Sequence, residues 1–379
     1  MVELESIDVL GGGPSGLYVA QLLKRDQPHS RVRVLEQNPR GATFGFGVVF
    51  SSEALSFLET DDPETHAMIT PQMERWQNMT LVHQGENVVL DGIGFASIGR
   101  LQLIELLSER AEAQGVEVVY NTTIDDISSL KADLVVGADG LNSLVRRTHE
   151  ASFSPKVSEF DNRFAWFGTN KAFDTLTQTF LTTEHGAMNA HHYRYQPAMS
   201  TFIVECDAKS FRAHGFDSMD EQETARACEE IFSDTLQGAS LITNKSQWRQ
   251  FPKMWCENWA HENRVLIGDS AHTAHFSVGS GTRLAMEDSI ALAKALREGV
   301  NLQKALATYQ ETRQPIAHKI VNAANTSANW YETFANKMQL SPLDFGFDYI
   351  TRSGRIDMDR LRKLSPNFMH QYEAKELQS

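Results

Sequence analysis

Apolar residues near the start of the chain come in short runs that stop at glycines. Ile7 to Leu10 is one such run, ended by a glycine cluster. Leu17 to Leu23 follows with helical spacing, and Val32 to Leu35 is a second apolar run ending at Glu36. Strand, helix and strand in that order predict a β-α-β unit with a right-handed crossover over a parallel sheet. Leu101 to Glu112 predicts a helix, Val116 to Tyr120 a strand, and Leu134 to Val136 a further buried strand before a glycine turn. Between Phe160 and Phe251 the texture changes. Arg163 to Gly168, Ala190 to Tyr195 and Ser200 to Cys206 are strand-like and rich in aromatic residues and threonine. They predict a separate sheet inserted into the first fold, to which Met79 to Leu90 adds. From Arg264 the α/β texture returns, with a strand at Val265 to Ile267 and a long helix through Leu284 to Leu296. The tail after Trp330 reads as helical.

The fold class expected is α/β with an α+β insert: a Rossmann-type parallel sheet, an inserted, mostly antiparallel sheet and a helical tail. The parallel-sheet domain takes residues 1–72, 97–156 and 262–335. The inserted sheet takes 73–96 and 157–261, and the tail 336–379. Composition narrows the partners. Lys plus Arg is 35 against 49 Asp plus Glu, a formal charge of −14. That balance argues against nucleic acid or an anionic membrane, but leaves room for an anionic ligand on a local basic patch. Cys206, Cys228 and Cys256 stand far apart without a CxxC pair, so neither zinc site nor disulfide framework is expected. Reduced thiols in a cytoplasmic protein are the simple reading. The opening MVELES lacks the basic and apolar regions of a signal peptide, and no apolar stretch is long enough to span a bilayer. A monomer or homodimer is expected.

The candidate chemistry starts at the first glycine cluster. Gly11-Gly12-Gly13-Pro14-Ser15-Gly16 fits GxGxxG between a strand and a helix. Gly11 permits the tight turn, Gly13 lets the backbone approach a pyrophosphate, and Gly16 allows close helix–strand packing. Pro14 and Ser15 open the helix, whose free N–H groups and dipole favour phosphate. Glu36 lies twenty residues after Gly16, where an acidic side chain accepts ribose hydroxyls, with Gln37 beside it. The signature does not itself separate FAD from NAD.

Two later motifs do. Val135-Val136-Gly137-Ala138-Asp139-Gly140 is followed by Ser143 and Arg146, and Val265 to Gly268 leads into Asp269-Ser270-Ala271-His272. With the first signature, their order and spacing resemble the single-component flavin-dependent aromatic hydroxylases of the 4-hydroxybenzoate hydroxylase kind, over most of the chain. The resemblance implies that Asp269 binds the ribityl or pyrophosphate part of FAD and that Gly279 to Thr282, with Gly279, Gly281 and Thr282, pass beside the flavin ring. Arg100, after Gly99, would reach the FAD, and Asp139 would support the second motif. Where the family often has a proline, four residues after the motif histidine, this chain has Phe276. Thr43 to Phe50, Phe95 to Arg100 and His275 to Thr282 resemble salicylyl-CoA 5-hydroxylase and the flavin domain of 2-aminobenzoyl-CoA monooxygenase. Tyr193 to Tyr195 and Met199 to Cys206 are similar to these and to the tryptophan-derivative hydroxylase of violacein biosynthesis.

The resemblance implies that NADH or NADPH reduces FAD and that O2 adds to give a C4a-hydroperoxide, whose distal oxygen attacks an activated aromatic ring. Such a site must hold the ring and exclude water. Phe46 and Gly47, in the glycine-rich stretch from Phe44, suit a backbone pressed against a planar flavin. His191, Tyr193 and Tyr195 alternate and share one strand face, fit to position a phenol and take its proton. The same pattern also suits a half-buried sheet face with satisfied polar tips. His275 is a candidate catalytic contact, and Phe276 and Tyr195 are candidate substrate contacts. His272 and His275 are three apart with no third ligand, so no metal is expected. Arg352, Arg355, Arg360, Arg362 and Lys363 form a basic stretch that could meet CoA phosphates, or simply a solvated helix face. The leading expectation is hydroxylation of a small aromatic substrate, with an aroyl-CoA such as salicylyl-CoA, hydroxylated at position 5, in first place. The alternatives are an indole-derived or free aromatic acid substrate, and, in another class, a flavin-bearing redox sensor. A halogenase would carry WxWxIP, which is absent.

Overall fold

A computed structural model describes residues 1–51 and 55–376. The last three residues of the expected tail lie outside the described residues. The parallel sheet has six strands in the order Ala260–His261, Arg264–Leu266, Leu134–Gly137, Ser6–Leu10, Arg31–Leu35, Glu117–Val119. Its inner strands read as unbroken apolar runs because both faces are covered. The exception is Asp8, which is buried and meets Arg33 on the neighbouring strand through two bonds, 2.8 and 2.9 Å. Helix Pro14–Asp26 packs on one side between helices Gly281–Glu298 and Arg100–Ala113.

The second sheet runs Leu241–Ile242, Pro155–Thr169, Met199–Cys206, Gly186–Gln196, Leu176–Thr183, Met79–His83, Glu86–Leu90. Arg249–Cys256 pairs with the first half of Pro155–Thr169, whose ladder shifts register between Glu159 and Arg163. Alternation divides its faces. Ala165, Phe167, Ala190, Phe202 and Val204 bury one face under Ala225 and Cys228 of helix Glu221–Ile231. Phe164, Trp166, His191, Tyr193, Thr201 and Glu205 are left on the other, toward the parallel-sheet side. A third, small sheet joins Gly47–Ser51, Phe95–Gly99 and Glu74–Trp76 between the two.

Helix Leu302–Thr333 is 32 residues long and contains Pro315. It leads to the tail helices Pro342–Thr351, Met358–Leu364 and Pro366–Glu376. These dock on the Met79–Leu90 hairpin. Phe345 stacks on His83 at 4.0 Å, and Asp91 accepts bonds from Ser365 Oγ, Asn367 N and Phe368 N. No helix among the described residues is long and apolar enough to cross a membrane.

Candidate active site

The three motif glycines each have a visible reason. Gly11 has φ +98°, and a Cβ there would sit 2.4 Å from Ala138 O. A Cβ on Gly16 would sit 2.0 Å from Gly11 O, so the helix rides directly on the turn. Gly13 has nothing within 4 Å of such an atom and borders open space. Gly13 also N-caps helix Pro14–Asp26 without a side-chain cap, and Pro14 opens its first turn. The first-turn N–H groups, with Ser15 among them, therefore face an anion-ready space.

A crevice opens there, lined by Gly12, Gly13, Glu36, Phe44, Arg100 and Tyr120 among others. Glu36 accepts bonds from Gly12 N (2.6 Å), Asn38 N (2.8 Å) and Asn38 Nδ2 (2.6 Å), which fix its carboxylate beside the glycine turn. Gln37 is exposed and is not among the lining residues. Arg100 starts its helix, and its buried Nε has no protein partner. Burial lowers its pKa, while the carboxylate of Asp269 opposes the change. Asp269 opens to solvent yet sits deep among protein atoms. Burial pushes its carboxyl above the usual range, with His272 and Arg100 acting the other way. An unpartnered buried guanidinium atom, a free helix N-terminus and a fixed acid on one crevice fit the phosphates and ribose of FAD.

Asp269 owes its place to a buried network. Asp288 accepts bonds from Gly268 N (2.9 Å), His272 Nε2 (2.8 Å) and Arg313 Nε (2.7 Å). Burial works against the Asp288 charge, but His272 and Arg313 outweigh it and hold the carboxyl at about 2. Ser270 ties the second motif to the third. Its Oγ donates to Asp139 Oδ1 (3.2 Å) and accepts from Gly140 N (2.9 Å), and its carbonyl accepts from Arg146 Nη1 (2.8 Å). The other oxygen of Asp139 accepts from Leu144 N at 2.6 Å. Asp139 and His272 thus hold the turns in shape.

The turn Phe276–Val278 follows. His275 Nδ1 caps it by accepting from Ser277 N (3.3 Å), and Gly279 closes it at φ +61° against Val49. Ser280 gives helix Gly281–Glu298 no side-chain cap, and a Cβ on Gly281 would meet Ala274 O only at 4.0 Å, so Gly281 and Thr282 present a second uncapped helix N-terminus. Across from it the strand entry at Phe46 and Gly47 is clasped by the second sheet. Gly47 N donates to Thr201 Oγ1 (2.9 Å), and Tyr193 OH donates to Gly47 O (2.8 Å). A Cβ on Gly45 would meet Trp166 at 2.6 Å, and one on Gly47 would meet Tyr195 at 2.5 Å. Phe46 packs on Gly168. These glycines are accounted for by aromatic rings of the sheet.

His191, Tyr193 and Tyr195 do share a face, but they do different things. Tyr193 is buried and committed to Gly47. Tyr195 packs on Gly47 and Gly99. His191 Nε2 lies 3.1 Å from Glu205 Oε2, and its ring stacks on Tyr331 (4.9 Å) with Phe276 edge-on (5.2 Å). The other Glu205 oxygen accepts from Asn162 Nδ2 at 2.9 Å. Burial lowers His191 to about 3, helped by Arg352. Burial likewise lowers His275 to about 4, against the pull of Glu205. Burial raises Glu205, opposed by His275 and Asn162. Low polarity here works against an imidazolium beside the acid, which keeps the His191 ring neutral. Phe276 sits among His275 (4.2 Å), Phe164 (4.9 Å) and Phe251 (5.9 Å). Glu205, Asn162 and Tyr331 escape a reading of the sequence alone as site residues, and Arg352, read there as part of a basic stretch, turns inward instead. Only Glu205 leaves a trace, as a lone acid in the apolar strand Met199–Cys206.

A family profile for an FAD binding domain matches residues 94–324. Salicyloyl-CoA 5-hydroxylase of a Streptomyces species is 38% identical over 91% of this chain and 69% of its own length. The chain belongs to the FAD-dependent aromatic monooxygenases. As a flavoprotein monooxygenase it is also similar to protodeoxyviolaceinate monooxygenase of Chromobacterium violaceum, at 30% identity over 89% of this chain and 91% of that one. A crystal structure of 2-methyl-3-hydroxypyridine-5-carboxylic acid oxygenase shares the monooxygenase fold, with TM-score 0.70, 17% identity and 98% of each chain covered.

Proposed function

We propose that this monooxygenase hydroxylates an electron-rich aromatic ring carried as a thioester, with salicyloyl-CoA at position 5 the leading candidate, using NADH or NADPH and O2. The buried His191–Glu205 pair, on the sheet face turned to Phe276, is the observation that carries this reading. The 38% identity to salicyloyl-CoA 5-hydroxylase supports the substrate. FAD, when bound, supplies the redox chemistry and the activation of O2. Gly11, Gly13, Pro14, Ser15 and Gly16 would cradle the pyrophosphate and Glu36 the ribose. Arg100 and Asp269 would line the path toward the ring system, which Gly279, Gly281 and Thr282 would border on one side and Phe46 and Gly47 on the other.

Phe276 and Tyr195 would hold the substrate ring. With Nε2–H donated to Glu205, His191 would accept the phenolic proton at Nδ1 as its Nε2 proton passes to the carboxylate, so that no buried imidazolium has to form. Position 5 of a salicyl ring is para to the hydroxyl, so a proton leaving that oxygen enriches the carbon to be attacked. General-base help of this kind is worth about 10² to 10⁴ in rate. Aromatic side chains around Phe276 exclude water from the same space. The likeness to protodeoxyviolaceinate monooxygenase keeps an indole-derived substrate as a second reading.

The test is anaerobic mixing of the FAD-loaded protein with NADH, timing flavin bleaching alone, with salicyloyl-CoA, with free salicylate and with a tryptophan-type indole. Acceleration by the thioester alone supports the proposal. Acceleration by the indole or the free acid transfers it to the second substrate class. No acceleration by any aromatic would favour a redox sensor.

A further inference from the structure

The basic stretch of the tail does not present a row of free cations. Arg362 pairs with Asp359 and Glu373, and Arg360 bonds back to Arg355 O. Arg352 turns inward. Its Nη2 donates to Ser277 O (2.9 Å), its Nε to Ser327 Oγ (2.9 Å) and its Nη1 to Tyr349 O (2.8 Å). Ser327 Oγ in turn lies 2.9 Å from Ser277 Oγ. Ser277 is therefore tied twice, by its carbonyl directly and by its hydroxyl through Ser327.

The guanidinium lies 3.8 Å over the Tyr349 ring and 5.6 Å from the Tyr331 ring, on which His191 stacks. A planar fork held on an aromatic face reaches three acceptors at once; a lysine ammonium has no such geometry. The turn's own bonds are local: Ser277 N to His275 Nδ1, and Gly279 N to Phe276 O at 3.0 Å. Arg352 and Ser327 reach it from the two elements behind. The fixed positive charge also favours neutral forms of His191 and His275.

We propose that Arg352 is a positioning residue: it pins the turn Phe276–Val278 at the place where the flavin ring is bordered, and makes the C-terminal tail a working part of the active site. The inference rests on the reading that this turn borders the flavin. It needs no particular substrate.

The experiment compares FAD-free wild-type protein with R352A, R352K, S327A and the surface control R362A. FAD affinity is read by fluorescence quenching, and the loaded proteins are assayed for the share of NADH consumption that ends as H2O2. Losing charge-assisted bonds of this kind weakens FAD binding in R352A by about 10- to 100-fold. Added guanidinium ion restores part of the affinity, while R352K does not. S327A shows a smaller loss in the same direction, with more peroxide, and R362A matches wild type. Wild-type FAD affinity and peroxide yield in R352A overturn the proposal. If R352A does not fold, wild-type behaviour of both R352K and S327A overturns it. Impaired FAD binding in R352A, with no thioester accepted by the wild type, leaves this inference standing and defeats the substrate reading instead.

Discussion

Asp288→Asn tests the network that holds the third motif. The carboxylate is fully buried and accepts three bonds: two at Oδ2, from Gly268 N and His272 Nε2, and one at Oδ1 from Arg313 Nε. An amide has the same shape, but one end becomes a donor. It then faces either the Arg313 N–H or the Gly268 N–H, and among the described residues Arg313 keeps only Glu287, at 2.8 Å, as a counter-charge. Breaking a buried pair by removing one partner costs about 3 to 5 kcal/mol. With an unfolding entropy of about 2.1 cal/mol/K per residue, the melting midpoint should fall by roughly 4 to 6 °C. The pH dependence is a second signature. In the fold the carboxyl titrates at about 2. The unfolded chain binds that proton near pH 3.9, so the charge contributes about 2 to 3 kcal/mol above pH 4. This contribution is lost as pH falls from about 4 toward 2. Thermal melts of both proteins at pH 7 and urea melts from pH 5 to 2.5 measure these effects. D288N should melt lower and lack the acid-dependent component. A midpoint within a degree of wild type at pH 7, with the same acid profile, would refute the reasoning.

Glu205→Gln keeps the volume but can no longer take the Nε2 proton of His191; hydroxylation should drop by about 10² or more while NADH still bleaches the flavin, measured by product against bleaching. Equal loss of both rates would point to a purely structural carboxyl. His191, His192 and His275 are held neutral, at about 3, 3 and 4. Unfolded histidines take up protons near pH 6.5, so each costs about 1.4 kcal/mol of stability per pH unit below that value, until its folded pKa is reached. Urea midpoints should therefore fall between pH 7 and 5, and a flat profile contradicts the assignment. Gly11→Ala forces a Cβ to within 2.4 Å of Ala138 O at a positive φ, and should abolish FAD retention on a desalting column.

Much of the architecture is legible in local patterns. The runs Ile7 to Leu10 and Leu134 to Val136 are apolar, but for Asp8, because both faces of the parallel sheet are covered. The inserted sheet shows itself through alternation, as in His191, Tyr193 and Tyr195. What stays hidden depends on partners far away in sequence. Gly45 and Gly47 look like a cradle for a flat ligand, but their lack of side chains answers Trp166 and Tyr195, more than a hundred residues on. Tyr193 looks like a free phenol until Gly47 is placed beside it. Arg352 looks like one of five surface cations until the tail folds back on Ser277. Pro315 interrupts any helical pattern, yet helix Leu302–Thr333 runs through it.

The strand order also sets a timetable for synthesis. Ser6–Leu10 is central in its sheet, and its neighbour Leu134–Gly137 pairs next with Arg264–Leu266. A ribosome adds about 5 to 20 residues per second, so the interval between the first and last of these strands is on the order of 10 to 50 seconds. For about the first half of that time the glycine turn lacks Ala138 beneath it, and until Arg264–Leu266 emerges the nascent sheet keeps an open edge at Leu134–Gly137. The antiparallel insert, whose neighbours in space are mostly neighbours in sequence, can close first. Slower translation, or a chaperone on the emerging chain, should raise the yield of protein able to take up FAD more than it raises the yield of a folded insert.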